Sequence, residues 1–279
     1  MQESILVGVT DTQASRRATD WAAERAQERK GRIELISIVG GATGAVGEGA
    51  VVDQAMTLTQ TRLDREAKRI GTRGIAADTR VGRGNPVEEL INASMIFDLL
   101  VIGSDYRGPD AGISRGPHGI RIVAGAHCPV AVVPDIDLAG RSGVIVGIDG
   151  SPTSERALAV AAAEADQAGD RLTAVMTWST VPLPVGMHSY PTTYLSGMQK
   201  IAEETLGIAL AGIGQRYPDL VVHRLVERGY PENTINRLAA TARLTVIGSH
   251  GRGAIARFLL GSTSREVLAR VATTTIVVR

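Results

Sequence analysis

Near its C-terminal end the chain carries Gly248-Ser249-His250-Gly251-Arg252-Gly253 and then, seven residues on, Gly261-Ser262-Thr263. Written as spacing this is G-x-x-G, nine residues, G-S, a pattern able to hold an anion. Gly248 and Gly251 let the main chain approach a ligand and are expected to take positive φ. Gly261-Ser262-Thr263 is expected to open a helix, whose first amides lack intrahelical partners and sit at the positive end of the helix dipole. A phosphate there gains several N–H donors and the Ser262 hydroxyl, with no lysine required. Asp149 ends an apolar run and offers a carboxylate to a ribose or to an adenine amino group. Together these residues point to an adenine nucleotide. Arg252 is either a phosphate-neutralising group or a solvated surface arginine. His250 reads as a solvated residue or a phosphate contact, and is given no catalytic role.

The elements that must position these groups are legible as alternating short apolar runs and longer helical patterns. In the second half the runs are Gly143–Asp149, Leu172–Trp178, Leu220–Val226, Leu244–Gly248 and Thr274–Val278, rich in Val, Ile and Leu as in strands buried on both faces. Ser151 followed by Pro152 marks a helix start, and Gly169 its end. Further helices are expected over 196–216, 231–242 and 262–271. Strands alternating with helices of this length imply parallel strands joined by right-handed crossovers. The first half repeats the rhythm with strands near 5–9, 33–39, 76–82, 98–103 and 129–133.

The halves are copies. Gly84-Asn85-Pro86 answers Gly229-Tyr230-Pro231, Val101–Ser104 answers Val246–Ser249, and Val130–Val133 answers Thr275–Val278, all 145 residues apart. The expected architecture is therefore two tandem doubly wound, Rossmann-like parallel-sheet domains of five strands and about four helices each. They span 1–135 and 143–279, with a linker at 136–142. Gly40–Ala50 and Ser179–Tyr194 break the rhythm and read as mobile loops at the sheet edge where ligands of open α/β sheets bind. Trp178 either stacks on a base or packs in the core.

Composition narrows the function. The 30 basic and 29 acidic residues give a net charge of +1, without the basic patch of a nucleic-acid binder. Only Lys30, Lys68 and Lys200 are lysines and none follows a glycine, which excludes a lysine-bearing P-loop. Cys128 is the single cysteine, so neither a disulfide framework nor a thiolate zinc site is expected. No segment is apolar for long enough to span a membrane. The strand-like run Ile5–Val9 begins too early for a leader, so the expected location is cytoplasmic.

The combination of Val-Gly-Ile-Asp149-Gly-Ser, Gly-x-Pro at 229–231 and G-x-x-G-x9-G-S resembles the universal stress proteins in their tandem two-domain form, over essentially the whole chain. The resemblance implies ATP, with or without Mg²⁺. It implies that Asp149 contacts the adenosine, that Val175 lines the adenine pocket, and that Ile247, Gly248, Gly251, Gly261, Ser262 and Thr263 hold ribose and phosphates. It also implies dimerisation through the last strand, here an internal pairing of Pro129–Val133 with Thr274–Val278, and a further homodimer. The first half departs from the pattern: Thr10 stands at the place of Asp149, Tyr106 at that of Gly251 and Pro117 at that of Ser262, although Gly103 and Gly116 remain. A tyrosine would occupy the cradle, and proline removes an amide and a hydroxyl, so a lost or weakened first site is expected.

The leading functional reading is an ATP-binding regulatory or stress-response protein, whose loaded and empty states differ in loop order or self-association. A slow ATPase or other adenine-nucleotide enzyme is the second reading. It would need a base and a metal-binding carboxylate near the phosphates, and Ser249–Thr263 contains no Asp or Glu. A ligand-free assembly module is the third, and suits the first half better than the second.

Overall fold

The structure is a computed structural model that describes residues 2–40, 48–106, 118–183, 185, 188–251 and 260–279. The chain divides into two compact units, Met1–Ile136 and Asp137–Arg279.

In the first unit the order is β1 (Ser4–Gly8), α1 (Gln13–Arg29), β2 (Arg32–Gly40), α2 (Glu48–Gly71), β3 (Ala77–Gly84), α3 (Pro86–Ala93), β4 (Leu99–Ser104), α4 (His118–Gly125) and β5 (Val130–Pro134). In the second it is β6 (Val144–Gly147), α5 (Pro152–Ala168), β7 (Leu172–Trp178), α6 (Thr192–Ala209), α7 (Ile213–Arg216), β8 (Val222–Arg228), α8 (Pro231–Ala239), β9 (Leu244–Gly248), α9 (Ser262–Ala269) and β10 (Thr274–Val278). All strand pairs within a unit are parallel. The first unit's strands run β3-β2-β1-β4-β5. The second unit's run β8-β7-β6-β9-β10. In each, successive crossovers step outward from the first strand in one direction and then return to its other side. The carboxyl ends of β1 and β4, and of β6 and β9, therefore splay into a crevice with helices leading away on opposite faces.

Central strands form where apolar side chains are covered on both faces. Ile5, Leu6 and Val7 in β1 and Val144, Ile145 and Val146 in β6 are almost wholly buried. Each such side chain contributes about 1.5–3 kcal/mol by leaving water. The edge strands differ. In β8 the side chains are half-buried or exposed, and the strand begins two residues later than the apolar run at Leu220 suggests, because an edge needs only one covered face. The Ser151 hydroxyl accepts from the Ser154 amide and Pro152 occupies the first turn, so α5 starts as its sequence predicts. The helix expected over 196–216 is two helices, α6 and α7, separated by a turn that ends at Gly212. Of the first expected loop, residues 41–47 lie outside the described residues, and Glu48–Ala50 already belongs to α2. In the second loop Tyr190 stacks on Tyr194 with centroids 5.7 Å apart, and the Tyr190 hydroxyl donates to the Val181 carbonyl.

Candidate functional site

A cleft of about 650 Å³ opens at the carboxyl ends of β6, β7 and β9 in the second unit. Asp149, Val175, Ile247, Gly248, Gly251, Gly261, Ser262 and Thr263 all line it, although they come from four separate stretches of chain. Arg252 lies outside the described residues.

Asp149 lies two residues past the end of β6. Its Oδ1 accepts a hydrogen bond from the Ser151 amide at 2.9 Å, which ties the carboxylate to the turn that starts α5. Its Oδ2 lies only 2.5 Å from where a Cβ on Gly251 would sit. Glycine at 251 is therefore a matter of space: any side chain there displaces the carboxylate. The expectation of positive φ at Gly248 and Gly251 is not met; neither residue takes it. Gly248 is required by packing instead, since a Cβ on it would lie 3.0 Å from Thr153 Cγ2 and 3.2 Å from the Thr153 carbonyl carbon in the first turn of α5.

The far wall is the start of α9. Gly261 occupies the N-cap position and no side chain caps the helix. The Gly261 amide donates to the Ser249 carbonyl at 2.8 Å, and Ser264 Oγ donates to the Gly248 carbonyl at 2.6 Å, so this helix start is fastened to the end of β9. Ser262 and Thr263 line the cleft in the first turn, where free amides and the helix dipole favour an anion. Val175 is 2% exposed and joins Ile145, Ala239 and Ala242 in an apolar cluster that backs the cleft. Asp149 is the one carboxylate among the described lining residues.

His250 also lines the cleft, but not as a solvated residue. Its Nδ1 is 2.8 Å from Ser249 Oγ, and its Nε2 is buried with no hydrogen-bond partner among the described residues. Trp178 is half-buried and is not among the described residues that line the cleft. Its indole N–H donates to Gln199 Oε1 at 2.6 Å, and the Arg228 guanidinium lies 5.9 Å from the ring centroid. Sequence reasoning missed Ser154, Thr177, Ser179, Tyr230 and Ile235, which line the same cleft. Their contribution depends on which strand ends are neighbours, and only Tyr230 stood inside a repeated motif.

In the first unit Thr10 follows β1, its amide donating to Ser15 Oγ at 2.9 Å and its hydroxyl 3.0 Å from that of Thr12. The cavity beside it measures about 170 Å³ and is lined, among the described residues, by Asp11 in the turn after β1, Arg16 of α1 and Arg62 and Arg65 of α2. Tyr106 stands past β4, its carbonyl accepting from the Asp135 amide at 3.0 Å. Gly116 and Pro117 lie outside the described residues.

The model of the universal stress protein family matches residues 1–134 and again residues 142–279. The chain belongs to that family. Among curated universal stress proteins it is similar to Rv2005c of Mycobacterium tuberculosis, 33% identical over 292 residues that cover 100% of this chain and 97% of the relative. It is equally similar to Rv1996 of the same species, 33% identical over 289 residues, with 95% and 91% covered. A crystal structure of a universal stress protein from Archaeoglobus fulgidus matches its fold with a TM-score of 0.74 at 22% identity, covering 99% of this chain and 98% of the other. This universal stress protein thus has tandem domains, as its duplicated sequence predicts. Among its described residues, no helix is long and apolar enough to cross a membrane, and no group of three or more His, Cys, Asp or Glu side chains could hold a metal ion.

Proposed function

We propose that this universal stress protein binds ATP in the cleft of its second unit and acts as a regulatory protein that responds to the bound nucleotide. Asp149 receives the ribose or the adenine edge, Val175 lines the base pocket, Ile247, Gly248, Gly251, Gly261, Ser262 and Thr263 hold ribose and phosphates, and Arg252 is proposed to neutralise phosphate charge. One observation carries this reading. Residues read for phosphate and adenosine chemistry, drawn from four stretches between Asp149 and Thr263, meet around one cleft that ends on an uncapped helix start. With Asp149 as the one carboxylate among the described lining residues, binding is better supported than hydrolysis. The first unit offers Thr10 where the second offers Asp149, and Tyr106 and Pro117 where the second offers Gly251 and Ser262, so one nucleotide per chain is proposed. A cytoplasmic location and self-association of chains belong to the same proposal.

Calorimetric titration of nucleotide-stripped protein with ATP and Mg²⁺ tests it. The expected stoichiometry is near one per chain. A value near two would restore the first unit as a site, and absence of heat together with absence of any ATP-dependent shift in melting temperature would overturn the nucleotide reading.

A further inference from the structure

We propose that the ring of Tyr230 is the surface on which the nucleobase stacks, which makes this residue the determinant of purine preference; the proposal rests on the nucleotide reading above. The duplicated Gly-x-Pro turns carry it. Asn85 and Tyr230 occupy the same place in the two units, each after a glycine of positive φ, 130° at Gly84 and 154° at Gly229, and each before a proline in the first helical turn. Their backbones agree, with φ −81° and ψ 115° at Asn85 against −91° and 130° at Tyr230. Their side chains do not. Asn85 Oδ1 accepts from the Val87 amide at 3.0 Å and caps α3, whereas the Tyr230 side chain makes no capping bond for α8. Asparagine is among the best residues at this position and an uncapped start is a local cost, so tyrosine there weakens its own helix.

Nor does the ring recover that loss in the core, because Tyr230 is 66% exposed. What Tyr230 does is line the cleft that holds Asp149 and Val175. An exposed aromatic residue that lines a cleft, its backbone set by a proline turn, offers a stacking platform, and a two-ring purine covers more of it than a pyrimidine. Thr177 and Ser179, at and just past the end of β7, line the same cleft and offer hydroxyls to the edge of a stacked base.

The test uses full-length wild type, Tyr230→Asn and Tyr230→Phe, titrated with ATP, adenosine and ribose 5-phosphate and melted without ligand. Tyr230→Asn should bind ATP and adenosine about tenfold more weakly. Its ribose 5-phosphate affinity should be unchanged, and its melting temperature should rise by about 3 °C as the cap is restored. Tyr230→Phe keeps the ring and should stay within about twofold of wild type. Adenosine binding by Tyr230→Asn equal to wild type would overturn the proposal while leaving the nucleotide site standing. So would a loss in Tyr230→Phe as large as that in Tyr230→Asn. A wild type that takes up no adenine nucleotide would remove both readings together.

Discussion

After β6 the second unit presents Asp149, held by the Ser151 amide and reaching to the edge of Gly251; after β1 the first unit presents Thr10, turned back onto Ser15 and Thr12. The strand order around the two positions is the same, and so is the glycine at the end of the fourth strand. What the described residues place beside each differs: Asp149 lines a cleft of about 650 Å³ floored by β7 and closed by α9, whereas Thr10 lines a space of about 170 Å³ with residues of α1 and α2. A doubly wound sheet thus supplies a crevice wherever the strand order reverses, but what the crevice can hold is decided by a few residues at its lip. The two copies can diverge there with their cores intact.

Breaking that difference should produce the largest effect. Gly251→Tyr copies Tyr106 into the second unit and drives a side chain into the space of Asp149 Oδ2, so ATP affinity in calorimetry should fall by about a hundredfold. An unchanged melting temperature of the empty protein would show that the loss is confined to the cleft. Gly103→Ala should sharpen the comparison from the other side. Its Cβ would lie 2.6 Å from the carbonyl carbon and oxygen of Ala14, backbone atoms that cannot swing away. Denaturant unfolding should show a loss of about 2 kcal/mol, with ATP stoichiometry and affinity in the second unit unchanged.

The smallest effect lies at the start of the first unit. The Ser4 hydroxyl and amide both donate to Asp98 Oδ2, at 2.7 and 2.8 Å, and hold its pKa below the usual carboxylate value of 3.8. A carboxylate depressed on folding stabilises the protein above its unfolded pKa, and that stabilisation fades as pH falls through the folded value. Asp98→Asn should therefore melt slightly below wild type at neutral pH, and the gap should close in melts taken below the usual carboxylate range.

Much of this was legible in the sequence because two separate signals agreed. Buried runs such as Val144–Val146 and Leu244–Ile247 must be central strands, since nothing else covers both faces of so short an apolar stretch. The spacing of Gly248, Gly251 and Gly261 marked one wall of the cleft, since the residues proposed to bind phosphate there are main-chain neighbours of the motif itself. Edge features were less legible. The start of β8 shifted by two residues because Leu220 and Val221 are apolar for reasons other than pairing, and Val221 is in fact 65% exposed. The opposite wall was missed for a different reason. Thr177, Ser179 and Ile235 meet the motif only once β7 and α8 are packed beside β6, and no local pattern encodes that neighbourhood. The role given to Gly248 was half right: the place needs a glycine, but Thr153 rather than a bent backbone requires it.

That last point bears on how sites are counted in tandem chains. Gly103 and Gly248 both survive, and each is demanded by a helix pressed against a strand end, Ala14 in one unit and Thr153 in the other. A glycine kept for such a reason is no witness to a ligand. Counting sites by their glycines would credit this protein with two, whereas the pair proposed to hold the ligand, a carboxylate after the first strand and a vacant Cβ position opposite it, is seen among the described residues in the second unit.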